Sequence, residues 1–109
     1  MLNRRSLGIV LFAVVMLFPE LRAADFNLTG HIIDDRTNGG ISSLTVSLRP
    51  PANNEGQQRL TSTDAGGGFV LNKVPAGRYL LEVFQGVTPV YREVVELDRE
   101  TAKEIRLHR

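Results

Sequence analysis

The feature that most constrains the fold of this chain is a period-two alternation of apolar and polar residues. Side chains along a β-strand point alternately to opposite faces, so the alternation predicts strands with one buried and one solvated face. It is clearest between residues 41 and 49, where the expected inward positions are Leu44, Val46 and Leu48 and the expected solvent-facing ones are Ser43, Thr45 and Ser47. Turn-forming residues interrupt the alternation about every ten positions. We therefore predict an all-β fold, a Greek-key-type β-sandwich of about seven strands.

The predicted strands occupy most of the chain after residue 23. In chain order they cover residues 26–33, 41–49, 59–63, 68–72, 78–85, 90–97 and 103–107. The strand at 78–85 is largely apolar on both faces, which predicts a central position in its sheet. Pro89 cannot donate a backbone hydrogen bond, so the strand that follows it is expected at a sheet edge. The proline- and asparagine-rich stretch 50–58 is expected to be an exposed loop.

The N-terminus has the three-part layout of a secretory signal peptide. Arg4 and Arg5 precede an uncharged apolar run at residues 8–18, and small residues follow it. That run is shorter than the ~20 apolar residues that a membrane-spanning helix needs. We predict a signal peptide at residues 1–23, cleaved after Ala23, and no stable membrane insertion after cleavage. The paired arginines leave the twin-arginine export route open as an alternative.

The predicted mature domain, residues 24–109, contains no cysteine. Disulfides, thiol nucleophiles, thiolate metal sites and a lipid-modified cysteine are therefore excluded. An exported domain without disulfides suits a bacterial periplasm at least as well as an animal secretory pathway. We expect a periplasmic or secreted bacterial protein.

The charge of the chain changes when the leader is removed. The whole sequence carries 13 Lys and Arg and 12 Asp and Glu, and the leader takes three arginines and one glutamate with it, so the net charge changes from +1 to −1. A near-neutral domain without a Lys/Arg cluster has no electrostatic footprint for nucleic acid or anionic lipid. We expect neither as a partner.

Four segments of the mature domain carry a family resemblance. They are Gly30-His31-Ile32-Ile33-Asp34, Leu44-Thr45-Val46-Ser47-Leu48, Thr63-Asp64-Ala65-Gly66-Gly67-Gly68-Phe69 and Val74-Pro75-Ala76-Gly77-Arg78-Tyr79-Leu80-Leu81-Glu82-Val83. In this order they resemble the carboxypeptidase regulatory-like family. The resemblance implies a transthyretin-type, prealbumin-like β-sandwich, in a group of folds that also contains carbohydrate-binding-like domains.

The motifs of this resemblance have a structural rather than a chemical reason. In the third segment, an acidic side chain caps a turn, glycine reverses the chain and an aromatic ring fills the core. In the fourth segment, proline and glycine form a rigid turn that leads to a tyrosine ring. The residues with these roles are Asp64, Gly66, Phe69, Pro75, Gly77 and Tyr79. The resemblance therefore predicts architecture better than activity.

Catalytic and metal sites are weakly supported by the sequence. The hydrolase branch of transthyretin-like proteins ends in Tyr-Arg-Gly-Ser and uses convergent His and Arg side chains, whereas this chain ends in Leu-His-Arg. The two histidines, His31 and His108, would form a pair only if the first and last strands brought them together. Asp34, Asp35 and Asp64 could be calcium ligands, but turn capping accounts for them more simply.

Nucleophiles are equally poorly supported. The serines Ser42, Ser43, Ser47 and Ser62 are expected to face solvent, and no Gly-x-Ser-x-Gly elbow exists. The first mature strand has no lysine, which opposes the internal Lys–Asn bond of related surface-protein modules. We predict no catalytic residue, no metal and no cofactor, and hence no enzyme.

The predicted function is that of an exported, non-catalytic module that binds an envelope or extracellular protein. The alternative is a carbohydrate-binding module, because the resemblance includes carbohydrate-binding-like folds. Sugar rings stack on exposed aromatic side chains, and Phe26, Phe69 and Tyr79 are expected in the core. Phe84 and Tyr91 are therefore the possible ligand platform.

Overall fold

Seven strands make up the fold seen in the computed structural model, which describes residues 24–50 and 58–109. They are β1 (Asp25–Asp34), β2 (Thr45–Arg49), β3 (Arg59–Ser62), β4 (Gly68–Pro75), β5 (Gly77–Gln85), β6 (Thr88–Leu97) and β7 (Thr101–Leu107). The predicted signal peptide and most of the predicted loop at 50–58 lie outside these residues. Within them, no helix has the length and apolarity that a membrane crossing requires.

The strands form a three-stranded sheet in the order β4-β1-β7 and a four-stranded sheet in the order β3-β2-β5-β6. The predicted all-β sandwich of seven strands is thus confirmed. The first and last strands are neighbours and run parallel, with Leu28 opposite Thr101 and Asp34 opposite Leu107. The other pairs are antiparallel. As predicted, β5 is an interior strand, and β6, which contains Pro89, lies at an edge.

One continuous core lies between the sheets. The buried apolar side chains are Leu28, Ile32, Ile41, Leu44, Val46, Leu48, Phe69, Leu71, Val74, Leu81, Val83, Val95, Leu97, Ile105 and Leu107. They alternate with outward residues along the strands, because a strand that packs on one face has an apolar residue at every second position. Phe69 is in the core as predicted. Phe26 and Tyr79 were also expected there, but they are only half-buried and pack against its rim.

β2 is shorter than predicted, because residues 41–44 cross from one sheet to the other. The backbone N–H of Ile41 donates to the Ile32 carbonyl in β1 at 2.9 Å. Three residues later, the N–H of Leu44 donates to Oγ1 of Thr63 beside β3, also at 2.9 Å. Ser43 between them has φ of 63°. The apolar residues at both ends of this segment are buried, so alternation alone could not distinguish it from a strand.

β4 is longer than predicted and continues through Pro75, which lies opposite Asp25 at the start of β1. The expected four-residue turn at 74–77 is therefore only a bend at Ala76 between two strands. The hydroxyl of Tyr79 donates to the Pro75 carbonyl at 2.7 Å, which fixes this corner.

The prediction that Ser47 faces solvent was wrong. Its side chain points away from the core, but the residue is only 1% exposed. The amide of Gln58 donates to its hydroxyl at 2.9 Å. Ser42, Ser43 and Ser62 are exposed, as predicted.

Arg59 connects the two sheets along the β3–β4 side of the sandwich. Its guanidinium nitrogens Nη1 and Nη2 donate to the carbonyls of Asn72 and Lys73 in β4, at 2.9 and 2.8 Å. The side-chain amide oxygen of Asn27 accepts from the N–H of Lys73 at 3.0 Å, at a bulge in the β1–β4 pair. The irregular backbone of β4 is therefore hydrogen-bonded on both sides.

Candidate functional site

The side of the four-stranded sheet that faces away from the core is here called the outer face. Cross-strand register arranges its side chains in rows. One row contains Leu60, Ser47, Glu82 and Arg92, the next contains Arg49, Leu80 and Val94, and a third contains Thr45, Phe84 and Pro89. β5 supplies the central residue of each row.

A buried carboxylate lies at the centre of the outer face. The side chain of Glu82 is only 10% exposed, and its two oxygens contact Nη2 of Arg49 at 3.0 Å and Nη2 of Arg92 at 3.5 Å. A carboxylate at this depth needs cationic partners to offset its loss of hydration. Each guanidinium carries five N–H donors, and both are substantially exposed. The site therefore presents two oriented cations around one anion.

Apolar side chains are also exposed on the outer face. Leu60 and Val94, on the two edge strands of this sheet, are 63% and 53% exposed. Two shallow hollows lie along β5 and β6, and one of them includes the charged centre itself. One, of about 330 Å³, is lined by Glu82, Pro89, Tyr91 and Arg92. The other, of about 510 Å³, is lined by Arg78, Tyr79, Leu80 and Val94.

The structure separates the two residues of the predicted ligand platform. Phe84 follows Leu80 and Glu82 on the outer face and is half-buried. Tyr91 lies opposite the core residue Val83 and packs against the core rim, on the other side of the sheet. The two rings therefore do not form one flat surface.

Tyr91 instead belongs to a polar cluster that joins β6 to β7. Its hydroxyl donates to Oε1 of Glu93 at 2.6 Å, and the ammonium of Lys103 donates to Oε2 of the same carboxylate. Burial and the Glu93 contact raise the pKa of Tyr91 to about 12. Burial acts to raise the pKa of Glu93, but the hydrogen bonds from Lys103 and Tyr91 outweigh it and lower that pKa below its ordinary value. These residues connect the edges of the two sheets.

The structure does not bring the two histidines together. His31 lies opposite Glu104 of β7. His108 follows Glu104 by four residues, so it lies about 13 Å farther along the chain direction of β7, at ~3.3 Å per residue. Nδ1 of His108 lies 3.8 Å from a carboxylate oxygen of Asp35. A catalytic or metal-binding histidine pair is therefore excluded.

The three aspartates considered as calcium ligands also have other partners. Oδ1 of Asp64 accepts the N–H groups of Gly66 and Gly68, at 2.9 Å each, within the β3–β4 turn. Asp34 faces Arg109 at 4.0 Å, and Asp35 faces Arg106 at 3.6 Å. Within the described residues, no group of three or more His, Cys, Asp and Glu side chains could hold a metal ion.

The architecture is a β-sandwich of a three-stranded and a four-stranded sheet. The chain belongs to the carboxypeptidase regulatory-like domain family, whose model matches residues 27–108. No curated protein matches it.

Solved structures show the same fold at low sequence identity. The major pilin subunit BcpA of Bacillus cereus is 13% identical with a TM-score of 0.62, over 77% of this chain and 30% of the pilin. The 5-hydroxyisourate hydrolase of Klebsiella pneumoniae is 23% identical with a TM-score of 0.57, over 77% and 87% of the two chains. A candidate carbohydrate binding protein of Pseudomonas aeruginosa is 13% identical with a TM-score of 0.52, over 81% and 90%. This chain thus spans under a third of the pilin's length.

Proposed function

We propose that this protein is an exported, non-catalytic module that binds a protein partner through the outer face of its four-stranded sheet. The observation that carries the proposal is the combination on that face of exposed Leu60 and Val94 with the two arginines held by Glu82. Protein interfaces combine apolar surface with arginine in this way. A rigid sheet presents these groups without a large ordering cost.

The charge of the outer face favours a different protein over a second copy of this chain. Arg49 and Arg92 share one carboxylate, so the centre of the face carries a net positive charge. In a two-fold symmetric contact the same patch meets itself, which would bring two such pairs toward each other. A partner with a complementary negative charge avoids this repulsion.

Export and the lack of catalysis rest on separate support. The N-terminal leader pattern predicts secretion, and pilin subunits are among the proteins of similar fold. The similar hydrolase shares the fold, but the separated histidines of this chain offer no pair for its chemistry. We expect the purified protein to leave 5-hydroxyisourate unhydrolysed, and measurable turnover would contradict the non-catalytic part of the proposal.

Site-specific photo-crosslinking in cells that produce the native protein tests the binding face. A photoreactive phenylalanine analogue would replace Val94 on the outer face or, as a matched control, Val70 on the other sheet, which is 50% exposed against 53% for Val94. We expect one adduct of fixed mass from position 94 that excess unlabelled wild-type protein suppresses and that excess L60E variant does not. An adduct only from position 70, or none that wild-type protein suppresses, would refute this binding face.

Carbohydrate binding is the second candidate. It is supported by the fold similarity to the candidate carbohydrate binding protein and by the position of Phe84 on the outer face. A glycan array with wild-type protein and with the separate F84A and Y91A variants tests it. Binding that only F84A abolishes would favour this function, whereas no binding to any glycan would remove it.

A further inference from the structure

We infer that the outer face recognises an extended segment of its protein partner in which one carboxylate side chain is flanked, two residues away on each side, by apolar side chains. The inference rests on the proposed function and names the chemistry of the partner. It comes from the spacing of the features along β5.

Along β5, outer-face positions recur every second residue, about 6.6 Å apart at ~3.3 Å per residue. The Glu82 position is the charged one, because Arg49 and Arg92 converge on its carboxylate. Toward the β5–β6 turn, Phe84 and its cross-strand neighbour Pro89 follow. In the other direction, Leu80 and the 510 Å³ hollow follow. The face therefore reads apolar, cationic, apolar along one line.

An extended peptide has the same repeat as the strand beneath it. Its residues i, i+2 and i+4 point to one side, with about 6.6 Å between neighbours. A peptide that lies along β5 with a carboxylate at i+2 would place it against the two guanidinium groups. Its side chains at i and i+4 would then contact Leu80 with Val94 at one end and Phe84 with Pro89 at the other. A spacing of one residue would instead direct the apolar side chains away from the face.

The buried Glu82 makes this carboxylate contact favourable. A flexible arginine loses rotamer freedom when it binds an anion, but here Glu82 already orients both guanidinium groups. Their remaining N–H donors can form charge-assisted, bidentate hydrogen bonds with a carboxylate. Asp or Glu in the partner segment fits this geometry, and Gln or Asn retains its shape but lacks its charge.

The experiment measures binding of fluorescein-labelled peptides to the mature domain by fluorescence anisotropy. The first peptide has the core Leu-Ser-Glu-Ser-Leu, the second replaces Glu by Gln, and the third has the core Ser-Leu-Glu-Leu-Ser. All three have the same Gly-Ser flanks. We expect the first to bind about tenfold more tightly than the others, which corresponds to ~1.4 kcal/mol. Its affinity should fall as salt is raised from 0.05 to about 0.5 M, because salt screens exposed charges.

Two arginine variants and one control link this binding to the site. R49Q and R92Q should each weaken the first peptide about tenfold and leave the second unchanged. R106Q is the control, because Arg106 on the other sheet also pairs with carboxylates and is 44% exposed, close to the 46% of Arg49. It should change affinity less than about twofold, and thermal melting should show that all variants are folded.

The outcomes separate the inference from the proposed function. If the three peptides bind equally, or none binds, while the adduct from position 94 still forms, the partner chemistry inferred here is wrong and the binding face stands. If R106Q weakens binding as much as R92Q does, the contact is a general charge effect and the inference is also wrong. Loss of the position 94 adduct would overturn the proposed function itself.

Discussion

Gly40 lies where two turns at one end of the sandwich touch. A Cβ atom at this position would lie 1.9 Å from the carbonyl oxygen of Gly66, which belongs to the backbone of the β3–β4 turn. Both segments are fixed by hydrogen bonds to Ile32, whose N–H donates to the Gly67 carbonyl at 2.8 Å and whose carbonyl accepts from Ile41 at 2.9 Å. The backbone at Gly40 therefore cannot move away from Gly66 without breaking one of these two hydrogen bonds of Ile32.

Replacing Gly40 by alanine should destabilise the fold by about 2 kcal/mol or more, because overpacking against fixed backbone costs that much. The neighbouring G39A variant is the control, since a Cβ there would meet only Oγ1 of Thr37 at 3.4 Å. It should stay within about 0.5 kcal/mol of wild type. Urea unfolding measures both, and equal stability of G40A and G39A would show that the turns can separate.

At the scale of residues, the sequence predicted the core well and the buried polar residues poorly. The period of two identified the inward side of each strand, so Phe69, Leu44 and Leu48 were placed correctly. It also made Ser47 a solvent-facing residue and gave no reason to single out Glu82. Burial of those residues depends on which long side chains of neighbouring strands cover them, and strand pairing is not encoded in the alternation of one strand.

At the scale of elements, the Tyr91–Glu93–Lys103 cluster is the contact that joins the edge strands β6 and β7 of different sheets. The strands share no backbone ladder, so side chains must connect them. A carboxylate that accepts hydrogen bonds from an ammonium and a phenol is stabilised in its charged form. The contribution of this connection to stability should therefore depend on pH.

Lys103→Met should reduce the loss of stability in acid. The folded-state pKa of Glu93 is lowered, so its contribution is present above the ordinary pKa of 4.5 and is lost as the pH falls through the folded-state value. Without Lys103 that pKa is less depressed, and the difference in unfolding free energy between pH 7 and about pH 3 should shrink. The control variant K73M also removes one positive charge, at an exposed position of β4. Its difference in unfolding free energy between the two pH values should equal that of the wild type.

Tyr91→Phe tests the same cluster in alkali. The pKa of Tyr91 is raised from 10.0 to about 12, so its contribution is present below pH 10 and is lost as the pH rises through 12. The variant should therefore lose less stability than wild type between these two pH values, as measured by urea unfolding. If the variant loses as much stability as the wild type, other titrating groups account for the loss of stability in alkali.

The ends of a strand could be predicted from the sequence only where a turn separates it from the next strand. β5 and β6 differ from prediction by one or two residues, because glycine and proline separate them. The errors at β2 and β4 arise where the chain passes from one sheet to the other without a turn. There the residues stay apolar and alternate, and hydrogen bonds from Leu44 and Tyr79, rather than residue types, decide where the strand ends.

At the scale of the whole molecule, the order of strands could not be read from the alternation, whereas the sandwich could. The family resemblance implied the transthyretin-like arrangement, and the family match and the solved structures support it. The outer face is a property of this arrangement, since it needs β2, β5 and β6 side by side. Export is a separate prediction, and it rests on residues outside those described.

Mass spectrometry of the exported protein tests the leader. The full chain produced in a Gram-negative host should accumulate in the periplasm with Ala24 as its first residue. Replacing Arg4 and Arg5 together by lysine should leave export intact, because general secretion requires only a basic head. Loss of export in that variant would favour the twin-arginine route, and an unprocessed chain in the cytoplasm would contradict the leader.

The hydrogen bonds of Arg59 also affect the tendency of the protein to self-associate. With a predicted net charge of −1 after cleavage, long-range repulsion between molecules is weak. Strand β4 has a neighbour on one side only, and unpaired strands are templates for aggregation. Because the guanidinium of Arg59 occupies two of its carbonyls, and a bulge distorts the backbone beside them, an incoming strand would find no regular row of acceptors. The guanidinium of Arg59 thus hinders strand addition at this stretch of the β4 edge.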